Sequence, residues 1–436
     1  MGHLDSRSVA LDQTVEKSER RKLSWRNCIG PGLITGASDD DPSGIATYSQ
    51  AGARFGYGVS WALVVTYPLM SAVQMISARI GRTTGHGIAG NLARRYPRWL
   101  LVAIVGLLVV ANTINIGANL GAMADATQLV FGGLEHNYLI GFALFCALTE
   151  VLAKYKRYVQ LLKWLTLALF AYVATLFMVD VPWGTALRAM VFPPIALTPE
   201  YVTMIVAVLG TTISPYLFFW QASEEAEEVA LDPDSDPLKC APEEAPVELQ
   251  RIELDTLIGM GFSNLVALAI MLTAAATLHA ANITNIETSA QAAEALRPIA
   301  GEYASTIFAL GIVGTGLLAV PVLAGSAAYA LGESVQRPVG LAKKPRKAKT
   351  FYATIVAATL LGAGLNFTAI DPIEALYWSA VINGIVAVPV MVMMMLMANR
   401  SDVMGRLTIS GPLKWLGWLA TLLMGAAVAA MALLSL

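Results

Sequence analysis

The sequence predicts an all-α polytopic membrane protein, and three observations carry that prediction. Of 436 residues, 56% are hydrophobic and only 14% charged, against about 25% charged in soluble domains. Mean hydropathy is +0.60, and long apolar runs recur, among them Trp99 to Val110, Val159 to Val179, Gly259 to Thr277, Ile385 to Met397 and Trp415 to Leu436. Apolar runs of about 20 residues cross a bilayer as helices. The third observation is where the positive charge falls. Eleven spans can be placed, roughly at 28–48, 59–78, 99–121, 137–153, 158–179, 200–221, 256–280, 304–331, 351–369, 374–397 and 411–433. With the N-terminus in the cytoplasm, all of the 29 Lys and Arg residues except Arg54, Arg188 and Arg297 fall in the N-terminal tail, in cytoplasmic connections or at adjoining helix ends. That is the positive-inside pattern, and adding or removing one span would scramble it downstream.

The first 27 residues are polar and charged, without the apolar core of a cleavable signal peptide. They are expected to remain as a cytoplasmic tail, with the chain in the plasma or inner membrane. Cys28, Cys146 and Cys240 are scattered and odd in number, which implies no disulfide framework. Residues 28–198 hold the first five spans, 199–400 the next five, and 401–436 the eleventh. The link 223–255 is acidic ("SEEAEEVALDPDSDPLKCAPEEAPVELQRIELD") and is expected to be a solvated linker with a short helix. The link 337–349 is basic ("RPVGLAKKPRKAK") and suits anionic headgroups. Expected partners are divalent cations and membrane lipids. Nothing points to nucleic acid or to a cofactor, and a monomer is expected.

Two spans are interrupted at midcourse. The first contains Asp41-Pro42-Ser43-Gly44 and the sixth Gly210-Thr211-Thr212-Ile213-Ser214-Pro215-Tyr216. Broken helices in corresponding positions of two five-helix halves predict an inverted 5+5 repeat with a binding site near the bilayer midplane, because unwound backbone is tolerated there only where it lines a cavity or is buried in protein. The first break carries the densest intramembrane acid of the chain, in "SDDDPSGIA". An ionised Asp in the membrane costs several kcal/mol, and the sixth span has no Lys or Arg to offset it. A cation from solution is the natural partner. Asp41, immediately before the proline, is best placed to offer a carboxylate beside freed carbonyls. The hydroxyls of Ser43 and Ser214 and the carbonyl of Thr211 complete an all-oxygen set. Hard oxygens suit Mg²⁺, Ca²⁺ and Mn²⁺, and Mg²⁺ keeps several waters while binding one or two carboxylates. Adjacent side chains on a helix point in different directions, so Asp39 and Asp40 are expected to line a vestibule or supporting shell. Asp125 and Glu333, acids within or at the edge of spans, are expected to be structural, and the run Met391 to Met397 to be packing.

At these residues the chain resembles the NRAMP divalent-metal transporters. "GPGLITGASDDDPSGIATYSQAGARFGYGVSW" resembles that family's first span, whose motif is Asp-Pro-Gly-Asn; "SARIGRTTGHGIAGNLARRYP" resembles the loop after its second; "GTTISPYLFFWQAS" resembles its sixth, where Met-Pro-His is expected. The resemblance covers roughly residues 28–400 and implies a LeuT-type fold. It carries the family's metal-binding aspartate to Asp41 and the prolines to Pro42 and Pro215. The departures are chemical. Ser43 stands for the glycine and Gly44 for the ligand asparagine; Ser214 stands for the ligand methionine and Tyr216 for the histidine tied to proton movement. Where the family has an acidic pair in the third span, Asn112, Asn115 and Asn119 occur. Asn383 lies near where the family places a polar residue that completes the site when it closes outward, with an interhelical hydrogen bond as the alternative role.

Loss of the sulfur and one amide, with a larger site and no group titrating near neutrality, resembles the NRAMP-related magnesium transporters. Mg²⁺ uptake as a partly hydrated ion, with Mn²⁺ accepted and little or no proton coupling, is the expectation. A proton-coupled transition-metal importer is the nearest rival, and a divalent-cation sensor without flux is the rival from another class. An enzyme is not expected, since the spans hold no nucleophile–base constellation.

Overall fold

Proline flanked by small polar residues splits two spans of this chain, whereas Pro68, Pro321 and Pro389 lie inside helices that run on through them. The structure is a computed structural model that describes residues 31–152, 170–367 and 371–435. The tail 1–27, the start of the first predicted span, and most of the fifth lie outside the described residues. Helix α1 (Pro31–Asp39) ends at the acidic triplet and α2 (Pro42–Phe55) begins at the proline. A 3₁₀ turn leads into α3 (Ser60–Thr84), which ends at Gly85 with φ +68. The short α4 (Ile88–Arg95), α5 (Arg98–Phe131) and α6 (Glu135–Leu152) follow, then two short helices at Phe170–Leu176 and Trp183–Val191. In the second half, α7 (Pro199–Thr212) and α8 (Pro215–Leu231) are again split before a proline. They are followed by α9 (Ala245–Ala274), α10 (Ala304–Ser334), α11 (Lys349–Leu365), α12 (Pro372–Ala398) and α13 (Gly411–Leu434). No strand occurs among the described residues.

Both predicted breaks are present, and the reason is the same at each. Proline has no N–H and a fixed φ suited to the first helical position, so Pro42 and Pro215 start new helices. Their preceding residues, Asp41 and Ser214, are extended at φ −74 and −81. The two breaks face one another inside a bundle in which α5 packs extensively on α10, α7 on α12, α1 on α9 and α8 on α3.

Glycine sets the spacing at the breaks. A Cβ on Gly36 would overlap the backbone of Gly259 on α9, and one on Gly210 would overlap the Ala380 carbonyl and lie 2.8 Å from Gly384 Cα on α12. Close backbone approach of this kind drives helix association in membranes. Gly210→Ala is expected to force α7 off α12 at a cost of about 1–3 kcal/mol, read as a lowered melting temperature of the detergent-purified protein. An unchanged Tm would show that the contact gives way freely.

The acidic link differs from its expectation. Instead of a solvated linker, α8 continues to Leu231 and α9 starts at Ala245, and the segment between docks on the end of α3. Leu238 N donates to Arg82 O at 3.2 Å and Lys239 N to Thr83 O at 3.0 Å. Leu238 is fully buried. Two buried carboxylates are paired: Arg251 Nη2 lies 2.6 Å from Glu225, Arg251 Nε 3.0 Å from Glu248, and Arg82 Nη2 3.1 Å from Glu248, while Asp232, Asp234 and Asp236 stay exposed. A charge run reads as solvated when its counter-charges lie far off in sequence, as Arg82 does.

Glu333 accepts from Gly90 N at 2.8 Å and Ser223 Oγ at 3.1 Å, capping α4. It is structural, as its position in sequence suggested. The buried Met391, Met394, Met395 and Met397 are packing.

Candidate metal centre

Asp41 sits at the first break with its carboxylate turned into the protein, 1% exposed. Oδ1 accepts from Ser43 Oγ at 2.6 Å and Gly44 N at 2.9 Å, the N-cap arrangement for α2. Oδ2 accepts from Asn119 Nδ2 at 3.3 Å. The helix N-terminus attracts negative charge, and its donors hold the Asp41 carboxylate in one orientation. Ser43 is drawn onto Asp41 rather than standing apart as an independent ligand.

The second break faces the first. Thr211 is buried, and its Oγ1 meets no hydrogen-bond partner among the described residues. A Cβ on Gly44 would lie 3.1 Å from that oxygen and 3.2 Å from the Tyr48 ring. The site therefore closes where the family's asparagine would project, and Thr211 with Tyr48 occupies its neighbourhood. Ser214 Oγ lies 2.8 Å from the carbonyls of both Gly210 and Thr211, and its one proton serves either. It thereby satisfies a carbonyl freed by the break, and its hydroxyl competes with a cation for the Thr211 carbonyl. Tyr216 does something different: its hydroxyl donates to Ser38 O at 3.1 Å, joining α8 to the last turn of α1.

Asn383 is fully buried, and neither amide atom meets a partner among the described residues. It neighbours Gly384, which packs on Gly210, so a free amide stands one residue from the wall of the second break. Asp39 and Asp40 are 1% and 3% exposed. They do not open on a vestibule. Both are covered by α9, whose Ser263 Oγ lies 2.6 Å from Asp39 Oδ2 and 3.1 Å from Asp40 Oδ1. The far end of α1 is held by α9 too, with Gly32 N donating to Asp255 Oδ2 at 2.7 Å.

Two residues near the breaks, Ser263 and Tyr48, escaped the sequence reading, and Asn119 was named there without its contact to Asp41. Asn119 contacts Asp41 directly and donates to Asn115 Oδ1 at 3.1 Å, which also accepts from Ser379 Oγ at 3.3 Å. The spacing of Asn112, Asn115 and Asn119 along one helix face carried the signal. Asn112 points elsewhere, donating to Leu323 O at 2.9 Å and Ser326 Oγ at 3.0 Å. Ser263 and Tyr48 gave no signal, being single polar groups in apolar helices.

Comparison with known proteins decides the family. The Nramp family model, described as natural resistance-associated macrophage protein-like, matches residues 32–434. The chain belongs to the Nramp family. Among Nramp relatives, the "divalent metal cation transporter MntH" of Yersinia enterocolitica is 31% identical over 319 residues, covering 71% of this chain and 73% of the relative. MntH of Chromohalobacter salexigens is 27% identical over 324 residues, covering 72% of each chain. A crystal structure of the Eremococcus coleocola manganese transporter, in complex with an aromatic bis-isothiourea substituted compound, matches with TM-score 0.68 at 17% identity, covering 93% of this chain and 86% of that one. The inward-facing conformation of Mhp1 matches with TM-score 0.52 at 12% identity, covering 93% and 91%. At those identities the structural matches establish the fold. This Nramp chain is thus a multi-pass helical membrane protein of LeuT type, and the relatives' names describe transporters, not enzymes.

Proposed function

We propose that this chain is a divalent-cation transporter that carries Mg²⁺ inward, accepts Mn²⁺, and moves its cargo by alternating access with little or no proton coupling. The observation that supports this most is the composition of the facing breaks. Asp41, Ser43, Gly44, Thr211 and Ser214 offer carboxylate, hydroxyl and carbonyl oxygen without sulfur or imidazole. Oxygen-only surroundings suit hard cations. In the proposed site Asp41 supplies the charge, the Thr211 hydroxyl and carbonyl supply neutral oxygens, and the Gly44 N–H, which donates to Asp41 Oδ1, orients the carboxylate. Ser43 and Ser214 set the direction of those groups through their own hydrogen bonds. The free Asn383 amide is available as the gate closes.

Two features support weak coupling to protons. Tyr216 stands where the family's histidine is expected, and its hydroxyl is committed to Ser38 O. The third-span positions are neutral amides, and a chain of amides linking Asp41 to Ser379 holds no carboxyl to carry a proton. The membrane potential suffices as a driving force: a divalent ion gains about 4.6 kcal/mol per 100 mV, twice the single-charge figure. A negative interior drives the cation inward. The name of the matched structure, a manganese transporter, favours manganese as the cargo in the second reading.

The test is a change of ligand softness. Ser214→Met is expected to raise Cd²⁺ affinity about tenfold or more and to lower Mg²⁺ transport, since thioether selects soft metals. Competition of Cd²⁺ against Mn²⁺ binding to purified protein measures it. Equal Cd²⁺ affinity in wild type and variant would mean that position 214 does not face the ion.

A further inference from the structure

Asn115 and Asn119 stand one turn apart on α5, and both side chains are fully buried. Their amides are joined: Asn119 Nδ2 donates to Asn115 Oδ1 at 3.1 Å and also reaches Asp41 Oδ2 at 3.3 Å. Asn115 Nδ2 and Asn119 Oδ1 are left buried without a hydrogen-bond partner among the described residues. Unmade hydrogen bonds of buried amides are costly, and here two fall in one pair. The far end of the pair is overcommitted as well. Ser379 Oγ has one proton, yet it faces the Leu376 carbonyl at 2.7 Å and Asn115 Oδ1 at 3.3 Å.

An amide has nearly the same shape either way round, so a half-turn exchanges its oxygen and nitrogen in place. Turning both side chains keeps the bond between them with the roles exchanged, Asn115 Nδ2 donating to Asn119 Oδ1. Asn115 Nδ2 then also faces Ser379 Oγ, which accepts from it and keeps its own proton for the Leu376 carbonyl. The pair thus has two arrangements of equal shape, and they differ in what meets Asp41. One presents an N–H, the other a carbonyl oxygen. Two oxygens side by side repel unless a cation stands between them. Neighbouring ligands of an octahedral Mg²⁺, with bonds of about 2.0–2.1 Å, stand about 2.9 Å apart. The 3.3 Å between Asp41 Oδ2 and the Asn119 amide is close to that edge.

We propose that Asn119 is a further ligand of the transported cation, its amide oxygen joining Asp41 Oδ2 on one edge of the ion, and that Asn115 holds that oxygen in place. Asn119 Nδ2 covers a bare Asp41 carboxylate, and the two amides turn over together as an ion arrives. The ion thereby gains a neutral, hard oxygen from a third element, α5, beside the two breaks. Oxygen of this kind suits Mg²⁺ and Mn²⁺ and offers soft metals nothing. This inference rests on the proposed ion site at Asp41.

Anomalous scattering from Mn²⁺ in crystals of the wild-type protein locates the ion without any substitution. A peak about 2.0–2.6 Å from the Asn119 amide, the bond length of hard-cation oxygen ligands, is expected. A peak within that range of Asp41 but beyond it from Asn119 overturns the proposal and leaves the Asp41 reading standing. A peak distant from both overturns both. Equilibrium dialysis of Mn²⁺ against the purified full-length protein at pH 8 then separates an oxygen ligand from a mere donor to Asp41. As a ligand, Asn119→Asp tightens Mn²⁺ binding about tenfold or more, because ligand charge sets the affinity of hard-cation sites, and Asn119→Ala weakens it about tenfold. As a donor only, both variants weaken binding, since aspartate has no N–H and repels Asp41. Weakening in both, or no change in either, counts against Asn119 as a ligand, while loss of the ion in Asp41→Asn alone keeps the Asp41 reading.

Discussion

Asp41→Asn is expected to reduce Mg²⁺ uptake at least about a hundredfold while leaving the protein folded. Asn caps a helix about as well as Asp, so the contacts to Gly44 N and Ser43 Oγ survive with the amide oxygen in place of Oδ1. What is lost is the negative charge, together with the acceptor for Asn119 Nδ2. Replacing a carboxylate ligand by a neutral amide in a buried site removes a few kcal/mol of cation binding, and about 2.7 kcal/mol is a hundredfold. Asp41→Ala removes the cap as well and should cost about 1 kcal/mol of stability in addition. Comparing the two by flux and by melting temperature separates the roles of this residue. Uptake near the wild-type rate in a well-folded Asp41→Asn would place the ion elsewhere.

The second large effect is expected in stability. Arg251→Ala should destabilise the protein by about 3–5 kcal/mol, because it strips the counter-charge from buried carboxylates. The side chain of Glu225 is wholly buried and that of Arg251 13% exposed. The guanidinium reaches Glu225 through Nη2 and Glu248 through Nε, a forked contact that Lys cannot reproduce. Arg251→Lys should therefore recover only part of the loss, and Arg251→Met combined with Glu225→Gln should recover more than Arg251→Met alone. Thermal unfolding in detergent is the readout, with a fall on the order of 10 °C for Arg251→Ala. A fall of less than about 2 °C would mean that water reaches this network and screens it.

What could be read from the sequence, and what could not, follows from the range of each interaction. Pro42 and Pro215 marked the breaks because proline acts on its own helix, and Asp41 was legible as the residue before one of them. The helices at Ala304–Ser334, Pro372–Ala398 and Gly411–Leu434 begin and end close to their predicted limits, since apolar length alone defines a span, while Ser60–Thr84 runs past the predicted 78. Helix α9 begins at Ala245, well before the predicted 256, because its first turns are polar and their partner, Arg82, is distant in sequence. The same limit hid Ser263. Nothing in an apolar helix tells which of its hydroxyls will meet Asp39 more than two hundred residues earlier. Ser214 shows the converse: its identity was plain, but a hydroxyl free to turn chose the Gly210 and Thr211 carbonyls, which only coordinates reveal.

Transport itself is tested most directly with purified protein in liposomes that hold a Mg²⁺-sensitive dye and a pH dye. An inward Mg²⁺ gradient and a negative-inside potential are imposed on wild type and on Asp41→Asn in parallel. The expected result is Mg²⁺ entry in the wild type without acidification of the lumen, and no entry in the variant. Exclusion of Mg²⁺ while Mn²⁺ enters together with protons would contradict the account and make this chain a proton-coupled manganese carrier.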